Sequence, residues 1–253
     1  VKHNIAVLTD TLRKSMVLRN EAQTVLSDKG MIVPSRLWRI GRTNDARLFQ
    51  QEIKGDSSEF VVDVLIDASG SQMKRQGEVA LQAYIISEAL SNVDIPHRVM
   101  SFCTFWDYTV LHRFRKYDDP RTENDNIFNY VTSSNNRDGL AIRTAGYELL
   151  QREEDKKIMI ILSDGRPNDV ILNRPNARNP EPYMGKTAIA DTATEVRRLR
   201  SMEVSVLGVF AGEEKDLASE KKIFGKDFAY IRNIANFSKI VGRYLTKQLE
   251  NDG

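Results

Sequence analysis

A chain of 253 residues that is 41% hydrophobic has apolar side chains enough for one large α/β domain with an appendage, or for two small domains, and is not a disordered sequence. Its 37 basic and 35 acidic residues leave a net charge of +2, which excludes a domain-sized basic footprint for nucleic acid or an anionic membrane. The one cysteine, Cys103, excludes an internal disulfide and a cysteine-built zinc site, and no apolar run approaches the roughly 20 residues that span a bilayer, so the expectation is a soluble, cytoplasmic protein without membrane insertion.

Residues 4 to 28 carry Ile5, Leu8, Leu12, Met16, Ala22 and Val25 near helical spacing with charges between them, which predicts an amphipathic helix closed by Gly30. The chain opens at Val1 in what reads as mid-helix, so a fragment of something longer is expected. Residues 34 to 54 set Arg36, Arg39, Arg42 and Arg47 around Leu37, Trp38, Ile40, Leu48 and Phe49. They read as a short helix or turn with a solvated basic face over an apolar underside. Residues 1–55 are therefore expected to form an N-terminal helical extension.

From Phe60 the pattern changes. The run Phe60 to Ile66 is β-branched and almost unbroken, as in a strand buried on both faces of a parallel sheet. Further strands are predicted at 97–105, 109–114, 157–162, 203–210 and 227–231, with helices near 75–92, 123–132, 139–154, 187–202, 215–224 and 234–250. Strand and helix alternate, so residues 56–253 are expected to fold as a doubly wound, Rossmann-like α/β domain with right-handed crossovers. The 97–114 pair would add one antiparallel edge strand to a mostly parallel sheet. One compositional break interrupts this order, residues 165 to 186, where Pro167, Pro175, Pro180 and Pro182 stand among asparagines and arginines. A connection of that length in a compact domain is expected to be functional or mobile.

The first strand runs into Asp67-Ala-Ser69-Gly-Ser71, a carboxylate and two hydroxyls at the carboxyl end of a buried strand, where open α/β sheets bind ligands. Asp138 stands just before a predicted helix and Asp164 just after the strand ending near Leu162, so the three loops should converge on one edge of the sheet. Taken singly, such residues are ordinary turn and cap residues. Together, five oxygen side chains with no histidine or thiolate among them suit a hard cation, Mg²⁺ or Mn²⁺, better than zinc. Ser69 and Ser71 would ligate directly and some carboxylates through water. Around this edge Trp106, Asp107, Arg166, Asn168 and Asp169 are expected to form a partner-binding rim. The neighbouring Phe105 and Tyr108 fit either that rim or burial under the edge strand. His97 and His112 are scattered at strand positions, and Cys103 reads as a small core residue.

Asp67-x-Ser69-x-Ser71, a ligand in a second loop and the Ser163-Asp164-Gly165 turn resemble the metal-ion-dependent adhesion site of von Willebrand factor A (vWA) domains. The stretches Asn136-Arg-Asp138-Gly-Leu-Ala-Ile-Arg143 and Ser163-Asp-Gly-Arg-Pro-Asn-Asp169 look most like the cobaltochelatase CobT-type and nitric oxide reductase activation (NorD-type) proteins, over about residues 36 to 250. The resemblance implies a partner, a hexameric AAA+ ATPase of the MoxR-like or chelatase type that remodels or loads a metalloprotein client. One departure stands out: many adhesion sites have threonine where this chain has Asp138. A third carboxylate tightens cation binding yet opposes a partner's carboxylate, by about 4 kcal/mol at roughly 4 Å and an effective dielectric near 20.

The resulting expectation is a binding module that is not itself an enzyme. The alternative is a metal-dependent phosphoryl-transfer hydrolase. Against it, Ser69 occupies the position where an aspartyl-nucleophile phosphatase would carry its second acid, and the chain has neither a G-x-S-x-G elbow nor a G-x-x-x-x-G-K-[ST] loop.

Overall fold

The computed structural model describes residues 1–20, 23–42, 47–53, 59–106, 108–172, 182–210, 212, 214–231 and 234–250. Helix α1 (Lys2–Asn20) opens the chain and is followed by three short strands, β1 (Gln23–Ser27), β2 (Met31–Ile32) and β3 (Phe49–Ile53). These pair antiparallel in the order β1-β3-β2. The helix expected over residues 4 to 28 therefore ends at Asn20, and the extension is helical only in its first part. The cause is non-local. Thr24 and Val25 are β-branched, and their strand finds backbone partners in β3, in the register Gln23↔Ile53 to Ser27↔Phe49, a pairing to which helical periodicity is blind. The basic segment forms a 3-10 turn at Pro34–Arg39. Leu37, Trp38 and Ile40 beside it are exposed, so the apolar underside expected there is not covered.

The main body follows the alternation read from the sequence. In chain order it comprises β4 (Phe60–Asp67), α2 (Gln76–Ser91), β5 (His97–Phe105), β6 (Tyr108–Arg115), α3 (Asp138–Leu150) and β7 (Lys156–Ser163). A short pair, β8 (Asp169–Leu172) and β9 (Pro182–Tyr183), precedes α4 (Gly185–Ser201), β10 (Val204–Phe210), α5 (Leu217–Phe224), β11 (Phe228–Tyr230) and α6 (Phe237–Glu250). The helix expected near 123–132 is a 3-10 segment, Arg121–Asn129. Six strands form one sheet in the order β11-β10-β7-β4-β5-β6, parallel except for the antiparallel β5–β6 edge pair.

Strand alternation divides the core between the two faces of this sheet. Val62, Val64 and Ile66 of β4 pack with α2 and α6 on one side, while Val61 and Leu65 meet Ala141, Ile142, Val196 and Phe224 of α3, α4 and α5 on the other. Helix α1 belongs to the first layer. Leu8 and Leu12 are fully buried in the same core as α2 and α6, and the Ser238 hydroxyl donates to the Asn4 carbonyl at 2.7 Å. Among the described residues no helix is long and apolar enough to cross a membrane.

Asp63 is the one charge in the middle of β4. Burial drives its carboxyl upward, and the Arg98 guanidinium, bonded to it at 3.1 Å and 2.5 Å, opposes that shift. Arg98 also bonds Glu148 of α3, so the pair ties two strands to a helix. It lies within the sheet rather than at the carboxyl ends of its strands.

Candidate metal centre

The sheet order places a topological switch between β4 and β7. From β4 the chain moves through α2 to β5 on one side, and from α3 it returns to β7 on the other. The two crossovers diverge, and a crevice opens at the carboxyl ends of β4 and β7. Asp67 is the last residue of β4, Asp164 follows β7 directly and Asp138 is the first residue of α3.

Local hydrogen bonds fix each loop. The Ser69 amide donates to Asp67 Oδ1 at 2.8 Å, folding the chain back over its own carboxylate. The Gly70 amide reaches the Ser134 carbonyl at 3.0 Å and the Ser133 amide reaches the Ala68 carbonyl at 2.7 Å, so the loop before α3 is stitched to the first loop. That second loop is also laced to its other neighbours. Thr104 and Asn135 exchange backbone bonds at 2.7 and 3.2 Å, and Asn136 and Asn168 do so at 2.9 and 3.0 Å. In the third loop the Arg166 amide donates to Asp164 Oδ1 at 3.0 Å, and Gly165, with φ +67°, donates to the Ser163 hydroxyl at 3.0 Å.

The structure brings together all five residues read from the sequence as ligands. The Ser69 and Ser71 hydroxyls lie 2.8 Å apart, and Ser71 donates to Asp164 Oδ2 at 2.5 Å. The Asn136 side-chain amide spans Asp138 Oδ1 at 2.7 Å and Asp67 Oδ2 at 3.4 Å, and the Ser163 hydroxyl donates to Asp138 Oδ2 at 3.3 Å. Asp67, Ser69, Asp138 and Asp164 are all buried, whereas Ser71 is exposed. Above them lies a cavity of about 260 Å³ lined by Ser69, Ser71, Ser134, Asn136, Arg166 and Asn168.

Electrostatics mark the site as short of positive charge. Burial, then the charges of Asp138 and Asp164, hold the Asp67 carboxyl well above the usual range. Burial followed by Asp164 pushes Asp138 up to about 7, and burial raises Asp164 even though Ser71 and Arg166 oppose it. Acids raised first by burial and, for Asp67 and Asp138, then by their acidic neighbours would be relieved by a divalent cation, and a set of donors that are all oxygens suits a hard one. Among the described residues no three His, Cys, Asp or Glu side chains are grouped to hold a metal by themselves. An ion here would draw on the serine hydroxyls and on water as well.

The sequence reading missed Asn136 and Ser163, which orient Asp138, and it missed Glu220. This α5 residue is fully buried, and neither of its carboxylate oxygens has a hydrogen-bond partner among the described residues. Burial, followed by Asp138, Asp164 and Asp67, raises its carboxyl well above the usual value. Nothing near it in the sequence marks it out.

The expected rim divides. Trp106 is 82% exposed at the β5–β6 turn, with φ +52°, and Phe105 and Tyr108 beside it are exposed too, so the aromatic cluster is not buried under the edge strand. Asp107 lies outside the described residues, as do residues 173–181 of the proline-rich segment. Arg166 and Asn168 are exposed at the cavity. Asp169 is a correction: it is fully buried and ion-paired with Arg137. Its place in β8 turns it inward, where it clamps the second loop to the third. Cys103 is half-buried against the core, and burial raises its thiol.

A mostly parallel six-stranded sheet with oxygen side chains collected at its switch point defines a von Willebrand factor A-type domain. The chain belongs to the CobT family of such domains: the family described as the cobalamin biosynthesis protein CobT VWA domain matches residues 48–112 and 117–209, more than half of the sequence. It is also 24% identical over 239 residues to the uncharacterized protein YojO of Bacillus subtilis (strain 168), a match covering 85% of this chain and 34% of that protein. The chain thus spans about a third of that relative's length. Among solved structures it is similar to the vWF domain of the type V pili tip protein Mfa5 from Porphyromonas gingivalis, with a TM-score of 0.60, 10% identity, and coverage of 78% of this chain and 98% of that one. It is similar as well to the manganese-loaded TRAP protein of Plasmodium vivax, with a TM-score of 0.53, 12% identity, and coverage of 73% and 72%. At such identities the likeness is one of fold.

Proposed function

We propose that this domain is a divalent-cation-dependent protein-interaction module that recruits a AAA+ ATPase of the MoxR-like or chelatase type, or the metalloprotein client on which that ATPase acts. The observation that carries this reading is the meeting of three buried aspartates with the Ser69 and Ser71 hydroxyls beneath a solvent-open cavity. Mg²⁺ or Mn²⁺ bound there supplies concentrated positive charge and an exchangeable coordination position for a polar group of a partner. The chain's own residues do the rest. Ser69 and Ser71 offer neutral oxygens, Asn136 and Ser163 hold Asp138 in place, and Trp106, Arg166 and Asn168 present the surface a partner would meet. The manganese-loaded TRAP structure is a metal-bearing protein of the same fold, and the CobT family lies in cobalamin biosynthesis, where cargo carries a metal. The ATPase partner rests on the CobT and NorD resemblance.

A phosphoryl-transfer hydrolase is less well supported. Asp67 is fully buried, its Oδ1 is taken by the Ser69 amide, and Ser69 stands where a second acid would assist a nucleophile. The test is capture of a purified MoxR-like or chelatase-type AAA+ ATPase by this chain, in magnesium and in EDTA, paired with phosphate release by the purified chain. Capture that EDTA abolishes, without turnover, is expected. Metal-dependent turnover lost in Asp67→Ala would establish the hydrolase instead.

A further inference from the structure

Glu220 needs a physical account. An ionised carboxylate buried without a partner costs several kcal/mol, whereas leucine or glutamine at the same helix position would avoid that cost. Its neighbours in sequence, Ser219 and Lys221, give no hint of such a role, yet Glu220 is buried where α5 packs against the third loop. Gly165 makes the approach possible. A Cβ added at Gly165 would sit 2.8 Å from Glu220 Oε2 and 3.2 Å from the Glu220 amide nitrogen, so any side chain there would press the helix and its carboxylate away. Gly165 directly follows Asp164, whose carboxylate accepts from the Ser71 hydroxyl, so Glu220 packs against the same loop that carries this acid.

We propose that Glu220 is a positioning residue of the cation site: its buried, unpartnered carboxyl, packed against Gly165 and near Asp67, Asp138 and Asp164, is a further acid whose charge a bound hard divalent cation would balance. This rests on the metal-binding reading above and deepens it. Outer-shell groups that hydrogen-bond metal ligands change affinity by about 10- to 100-fold when removed; Glu220 makes no such bond among the described residues and would act through its charge alone, so an effect nearer the lower figure is expected.

The experiment is calorimetric titration of the whole chain with Mn²⁺, alongside thermal melts in EDTA and in excess Mn²⁺. Wild type, Ser71→Ala, Glu220→Gln and Glu220→Asp are compared. Glutamine keeps the shape and removes the charge; aspartate keeps the charge and removes a methylene. Weakening by about 10-fold, the lower figure known for outer-shell groups, is expected in Glu220→Gln, with a smaller Mn²⁺-induced rise in melting temperature but no loss of stability in EDTA. Glu220→Asp should bind more tightly than Glu220→Gln. The reverse order, or wild-type affinity in Glu220→Gln, makes Glu220 a packing residue and overturns the proposal while Ser71→Ala still loses affinity. Absence of Mn²⁺ binding by the wild type overturns the metal reading itself, and this inference with it. Should Glu220→Gln fail to fold, Glu220→Asp decides alone: affinity within a few-fold of wild type supports the charge role, and a loss as large as that of Ser71→Ala contradicts it.

Discussion

Ser71 is the exposed member of an otherwise buried oxygen set, and it links the Ser69 hydroxyl to the Asp164 carboxylate. Much of this set is legible in the sequence because its chemistry is local. Asp67, Ser69 and Ser71 fall in one run at a strand end, and Asp138 and Asp164 each stand where one periodicity gives way to another. Glu220 is not legible, because in the stretch 217–224 an acid between Ser219 and Lys221 reads as a solvated helix face. Only the packing of α5 against Gly165 shows otherwise. A second residue-scale result concerns His97, scattered in sequence but fully buried in the fold, with Nε2 2.8 Å from the Ser87 hydroxyl and Nδ1 2.9 Å from the Ile95 carbonyl. Burial, then Arg115, lowers its imidazole to about 4. Between pH 6.5 and that value the unfolded chain binds a proton that the folded chain refuses. Its contribution is therefore whole above pH 6.5 and is lost as the pH falls through the window. Urea unfolding at pH 7 and pH 4.5 should show wild type losing on the order of 2 kcal/mol more than His97→Gln over that interval; equal losses would mean that His97 titrates normally.

At the scale of elements, the long-range order of the main body follows from patterns that need no tertiary knowledge. β4 and β7 are nearly continuous apolar runs because both their faces are covered, and the β5–β6 pair is antiparallel because its two strands join through a tight turn. The N-terminal region escapes such reading for the opposite reason. β1 finds its partner only in β3, and the 3-10 segment between them leaves Trp38 exposed. Helix α1 is legible as a helix, but its burial is not. Leu8 and Leu12 enter the core beneath α2 and α6, whereas Val17 on the same helix is 53% exposed. Leu8→Ala should accordingly cost about 2–5 kcal/mol, and Val17→Ala no more than about 0.5 kcal/mol, both measured by urea denaturation. A Leu8→Ala cost as small as that of Val17→Ala would make α1 an appendage rather than part of the domain.

At the scale of the whole molecule, a sheet whose crossovers diverge between β4 and β7 gathers loops from distant parts of the chain over one crevice. Backbone bonds from Thr104 to Asn135 and from Asn136 to Asn168 lock those loops to one another, so the oxygens are held in place before any ligand arrives. On the proposed reading the sheet and its helices supply rigidity, the buried acids the site for a cation, and the exposed Trp106, Arg166 and Asn168 the surface a partner would meet. The most direct check of this account is a crystal of the whole chain grown in Mn²⁺, with anomalous diffraction locating the ion. One strong peak among Ser69, Ser71, Asp138 and Asp164 is the predicted result; a map with no peak there, at saturating Mn²⁺, would contradict it.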